Sequence, residues 1–189
     1  RYEFIHDLAC ESVYAALDPG RRVDLHLACG TYLERRAGLA QGSVDPGELV
    51  RHFMAAGDRP RALDYGIRAG DQACAVHANH KALGFYRSAL SLLPVGSARW
   101  RGLLQRTGEL LALTGQYEKA ANVYQRLLAP ELEGELSKRE RVEACRRLGE
   151  VLELRGDYDG ALDALSDGSA TAYTEDGLRG ESYNVLLYP

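Results

Sequence analysis

The stretch Cys74-Ala-Val-His-Ala-Asn-His80 puts a thiol and two imidazoles close together, the side-chain types that hold zinc. Their spacings of three and three drift around a helix, and Asn79 is expected to open a new helix between the histidines. Structural zinc takes four ligands and no fourth stands nearby, so His77 and His80 read more naturally as turn residues. Glu131, Glu133 and Glu135 lie in a segment without apolar periodicity and read as a solvated charge run. No G-x-x-x-x-G-K-[ST], G-x-G-x-x-G or G-x-S-x-G occurs, so no phosphate cradle or nucleophile elbow is present and the chain reads as non-catalytic. One further residue that could do chemistry is His6, where Tyr2-Glu3-Phe4, a short strand-like run, meets a helical pattern.

These side chains sit in a chain of 189 residues, 46% apolar and 26% charged, with a net charge of −4. That is an ordinary globular composition with material for a sizeable core. The mildly acidic balance argues against a nucleic-acid or anionic-membrane face. Over Arg1–Arg36 five basic residues (Arg1, Arg21, Arg22, Arg35, Arg36) meet six acidic ones, and no basic recognition helix stands out. No apolar run approaches a membrane span. Cys10, Cys29, Cys74 and Cys145 are widely spread within apolar helical patterns and are expected to be reduced, which points to the cytoplasm. The chain starts inside a structural element without an initiator methionine, and is expected to be an internal segment of a longer protein.

The positioning elements are helices almost throughout. Ile5, Leu8, Ala9, Ala16 and Leu17 mark a first helix, which Leu17–Arg22, with Pro19-Gly20, is expected to break. Leu25, Ala28, Cys29, Tyr32 and Leu33 predict one buried stripe on a second. Ala37–Pro46 reads as the main internal loop. Asp45, Asp58, Asn79 and Ser97 then read as successive helix caps, Ser137 and Glu140 as a capping box, and Gly57, Gly115 and Gly156 as left-handed stops. The expected organisation is a helical module over 1–38, a run of antiparallel hairpins over 45–165, and a poorly defined segment over 166–189 holding the start of one more helix.

The hairpins repeat. Gly108, Gly115, Tyr117 and Ala120 match Gly149, Gly156, Tyr158 and Ala161 at a constant offset of 41 residues. Gly70, Ala82, Tyr86, Ala89 and Pro94 keep the same spacing in an earlier unit, where His77 and Asn79 replace the turn glycine and aromatic. A stripe of Ala62, Gly66, Ala69, Gly70 and Ala73 suggests a helix packed closely on both sides. The pattern G-x6-G-x-Y-x2-A resembles the tetratricopeptide repeat, whose usual period is about 34 residues. The resemblance implies an all-α superhelix of hairpins whose first helices line a concave groove. In that register Gln105, Glu109, Glu143, Arg146, Glu150 and Glu153 would face a bound protein or peptide. Those residues read equally as exposed helix charges or as a net acidic groove suited to a basic or mixed partner.

The opening region, with Phe4-x-His6, Tyr14, Arg21-Arg22, Leu25-His26 and the helix-turn pair at Gly57-Asp58, resembles the segment after the nucleotide domain of bacterial STAND-class signalling ATPases, such as large LuxR-type regulators and kinase- or cyclase-linked ATPases. It implies that residues 1–38 are the last part of a winged-helix-like module beside an upstream nucleotide-binding domain, with any ATP or ADP held there. His6 would then sense the nucleotide's phosphates, or, more simply, cap its own helix. The leading reading is a non-catalytic regulatory segment whose repeats sense a protein or small-molecule signal; a stand-alone repeat adaptor, and the non-catalytic part of a kinase- or cyclase-linked enzyme, are the alternatives.

Overall fold

The computed structural model describes residues 7–38, 44–132 and 136–173. Its helices are α1 (Asp7–Ala16), α2 (Pro19–Gly38), α3 (Pro46–Ala55), α4 (Arg59–Ala75), α5 (Asn79–Leu90), α6 (Ala98–Leu113), α7 (Tyr117–Leu127), α8 (Lys138–Arg155) and α9 (Tyr158–Tyr173), with a short 3-10 turn at Pro130–Leu132. They fall into two compact units, Arg1–Leu93 and Pro94–Pro189. In the first unit α2 packs on α3, α3 on α4 and α4 on α5; in the second α6 packs on α7, α7 on α8 and α8 on α9. The strand-like Tyr2–Phe4, His6 and the segment after Tyr173 lie outside the described residues.

Four hairpin turns close in one way. The N–H of Asp58, Ala78, Gln116 and Asp157 donates to the carbonyl five residues earlier, at 2.8–2.9 Å. This closure needs a left-handed residue just before it. Gly57, Gly115 and Gly156 supply it with φ of 71°, 72° and 86°, and His77 does so at φ 57°. His77 is therefore the strained member of a set of glycine positions. His77→Gly is expected to raise stability by about 1 kcal/mol, because the left-handed conformation costs a side-chain-bearing residue about 1–2 kcal/mol; the urea-unfolding midpoint checks it.

The expected caps are present at Asp45, Asp58, Ser97 and Ser137, the last in a full capping box with Glu140. Asn79 is not a cap. The left-handed closure leaves Ala78 in the cap position without a side-chain bond, as it leaves Gln116 before α7. Pro19-Gly20 is not the break between α1 and α2 but the opening of α2. The Asp18 carboxylate accepts from the N–H of Gly20 and Arg21, and a proline in the first turn has no hydrogen bond to lose. At the other end, α9 carries regular helix through residues 166–173, where the sequence pattern is poorly defined.

Helix contacts use one size rule. A Cβ on Gly108 would stand 2.8 Å from Tyr124 Cζ, and one on Gly149 would stand 2.8 Å from Leu165 Cγ. Gly70 faces Tyr86 in the same way. In each pair the large residue follows the glycine by 16 positions. The small-residue stripe of α4 is buried throughout, since that helix packs on α3 as well as α5.

The stripe on α2 behaves otherwise. Gly30 is buried and Leu33 is half-buried against the Phe53 cluster, while Leu25 and Tyr32 are 45% and 61% exposed and Ala28 and Cys29 are exposed. The helix turns Gly30 toward α3 because the Phe53 ring occupies the space a side chain would need there. Close approach at a glycine outweighs the longer apolar stripe. Within the first unit α2 packs on α3.

Candidate partner-binding face

Helices α6 and α8, the first helices of the two hairpins in the second unit, carry the expected groove residues. Glu143, Arg146, Arg147 and Glu150 stand three and four apart on α8, the spacing that brings helix side chains together. The Glu143 carboxylate accepts from Arg146 at 3.0 and 2.6 Å and from Arg147 at 2.9 Å. Arg146 also bonds Glu150, and Arg147 reaches Glu150 at 3.5 Å. Across to α6, Arg147 lies 4.0 Å from Glu109, whose carboxylate accepts from Gln105 at 3.2 Å. Five of the six expected residues, Gln105, Glu109, Glu143, Arg146 and Glu150, therefore form one connected polar lattice. Glu153 is exposed one turn further along, outside the lattice.

Arg147 is the member that sequence reading missed, although its spacing of four from Glu143 was a usable signal. It changes the electrostatics. Two guanidinium groups stand among three carboxylates, so the lattice keeps an excess of one negative charge, with Glu153 adding to it. The Glu143 carboxyl is held below its usual range chiefly by the Arg146 hydrogen bond. Each lattice ion pair is part-exposed, and such pairs contribute little stability. What the lattice supplies is a pre-ordered array of donors and acceptors.

Beneath it, Gly102, Tyr124, Leu127 and Ala144 line a small hollow between α6, α7 and α8, of about 70 Å³. That suits one small side chain, whereas metabolite pockets usually measure about 300–1,000 Å³. Burial first, and the Glu109 carboxylate second, push the Tyr124 hydroxyl up to about 12, so it stays protonated at neutral pH. At the turn end of these helices Leu113 and Leu154, again 41 apart, are 76% and 60% exposed. The face thus combines a charged centre with an apolar end.

The other chemistry-bearing residues are apart from this face. Cys74 Sγ lies 3.7 Å from the Tyr86 hydroxyl, and His77 is exposed in its turn. Among the described residues no three His, Cys, Asp or Glu side chains come together as a metal set. No described helix is long and apolar enough to cross a membrane. His6 and Glu133–Glu135 lie outside the described residues.

Comparison with known proteins places this face in a repeat architecture. A tetratricopeptide-repeat family model matches residues 103–136, most of α6, all of α7 and nearly all of the connection to α8. Among solved structures, BtubC (BKLC) from P. vanneervenii aligns with a TM-score of 0.53 at 13% identity, over 92% of this chain and 99% of that one. The nearly identical TPR-like repeats of a Podosopora anserina protein assigned to the kinesin light chains align with a TM-score of 0.54 at 13% identity, over 82% and 96%. The MamA protein aligns with a TM-score of 0.50 at 14% identity, over 91% and 81%. At these identities the likeness is one of fold. A search of curated proteins gives no match. The described residues thus share the all-α helical-repeat fold of tetratricopeptide proteins, with one such repeat matched at residues 103–136.

Proposed function

We propose that this chain is a non-catalytic interaction and regulatory segment that receives a protein partner on the α6/α8 face. The observation that carries the reading is the lattice joining Gln105 and Glu109 to Glu143, Arg146, Arg147 and Glu150, which presents fixed donors and acceptors beside a side-chain-sized hollow. The residual negative charge and exposed leucines suit an extended segment carrying basic and aliphatic residues. On an array of peptides graded in charge, the wild-type protein is expected to retain basic, leucine-containing peptides. Glu150→Lys with Glu153→Lys is expected to weaken that retention about tenfold or more. Equal retention would remove the groove reading.

The finer context rests on the resemblance of the opening region to STAND-class ATPases. In this reading residues 1–38 contact an upstream nucleotide-binding domain, ATP or ADP is held there, and His6 senses it. A ligand on the repeats would act through its differential affinity for two states of that assembly. Coding sequence before Arg1 that encodes a G-x-x-x-x-G-K-[ST] motif, together with altered ADP affinity in full-length His6→Ala, is the expected outcome. A start codon immediately before Arg1 would leave the adaptor reading.

A further inference from the structure

A chain of polar contacts crosses from α1 through α2 to α3. The Tyr14 hydroxyl lies 2.9 Å from His26 Nε2, His26 Nδ1 lies 3.1 Å from His52 Nδ1, and His52 Nε2 lies 3.3 Å from Arg51 Nη2. The hydrogen-bonding chemistry assigns every proton in it. A guanidinium only donates, so His52 Nε2 must be a bare acceptor. Neutral His52 then carries its proton on Nδ1 and donates to His26 Nδ1. His26 must in turn hold its proton on Nε2, where it donates to the Tyr14 oxygen. The sequence of donors is Arg51, His52, His26, Tyr14, and it exists in one tautomeric arrangement.

We infer that His26 and His52 form a proton-operated latch that holds α1 and α2 against α3. A proton added to His26 sets two N–H groups head to head across the 3.1 Å gap. A proton added to His52 turns an N–H toward Arg51. Either event removes a bond at an interface where His52 is only 9% exposed, and the second also sets two cations side by side. The charged surroundings do not compensate. Arg51 and Glu48 flank His52 on α3, and the Arg22 guanidinium of α2 lies 5.1 Å from the centre of the Tyr14 ring. Arg61 of α4 pairs with the capping Asp58 and with Glu34 of α2, and lies over the Phe53 ring.

Burial, then Arg51 and His26, hold His52 below the ordinary imidazole value, so the packed state favours its neutral form. The released state binds protons more readily. The latch is therefore complete above about pH 6.5 and lost as pH falls below it. This inference is independent of what the α6/α8 face binds.

Hydrogen exchange of Pro19–Gly38 in the whole chain tests it, with α7 as internal reference. Between pH 7.5 and 5.5, exchange of α2 corrected for intrinsic rate is expected to rise severalfold relative to α7, the direction linkage gives for a histidine whose packed state disfavours the proton. The double variant His26→Gln with His52→Gln keeps hydrogen-bonding groups but cannot titrate, and is expected to lose that dependence. Parallel behaviour of α2 and α7, or persistence of the dependence in the double variant, overturns the latch. Should that variant not fold, nitrogen NMR of the wild-type imidazoles decides. A bare His52 Nε2 and protonated His26 Nε2 at pH 7.5 are expected, and the opposite tautomers, or a His52 that titrates at or above the ordinary value, overturn it.

Discussion

Phe53→Ala is expected to cost about 4 kcal/mol, measured as the loss in urea-unfolding free energy, within the range for deleting a buried aromatic ring. Phe53 is 0% exposed and forms a cluster with Leu49 and Ala62, joined by Leu33, Val44, Tyr65 and Leu92. Its ring fills the space above Gly30 on α2, stacks on Tyr65 at 5.7 Å and carries the Arg61 guanidinium at 4.3 Å. Arg61 and the Tyr65 hydroxyl both bond the Glu34 carboxylate, at 3.2 and 2.9 Å. One ring thus seats the apolar contact and the polar clamp that attach α2. Removing it is expected to expose α2 to hydrogen exchange before α4 and α5. Phe53→Leu should restore much of the loss, whereas Tyr32→Ala, on the exposed stripe of the same α2 helix, should stay within about 0.5 kcal/mol.

Gly70→Ala is expected to destabilise by about 2 kcal/mol, although alanine is the better helix former. The added methyl would lie 2.5 Å from Tyr86 Cδ1 and nearer still to Cε1. Tyr86 is 3% exposed, and its hydroxyl donates to Asp71 at 2.6 Å, so the ring has little room to yield. Overpacking of about 3 kcal/mol then outweighs the gain of about 1 kcal/mol in helix propensity. Gly84→Ala is the matched control, since a Cβ there meets nothing within 4 Å. It is expected to stabilise by about 1 kcal/mol. Opposite shifts in the unfolding midpoint would establish the size rule; shifts of the same sign would refute it.

These pairs mark how far sequence reasoning reaches. The helices, four of the expected caps and three of the glycine stops depend on residues a few positions apart, and local hydrogen bonding decides them. The offset of 41 depends on repetition, which the order of residues displays by itself. By the same logic the spacing of Glu143, Arg146 and Glu150 along α8 is a local signal for their pairing, since residues three and four apart meet on a helix.

What sequence did not decide is where two helices approach. Of the stripe Leu25, Ala28, Cys29, Tyr32 and Leu33 on α2 the first four are exposed and Leu33 alone packs on the Phe53 cluster, because the helix approaches α3 through Gly30, where Phe53, 23 residues away, fills the gap. Arg147 joins α8 to Glu109 on α6 only because the hairpins stack at one particular separation. His26 and His52 carry no shared sequence signal, and their facing nitrogens exist because α2 lies on α3. Local composition determined the elements and their repeat. Packing between elements, a matter of side-chain volume across long sequence separations, determined which faces are covered and which polar groups meet.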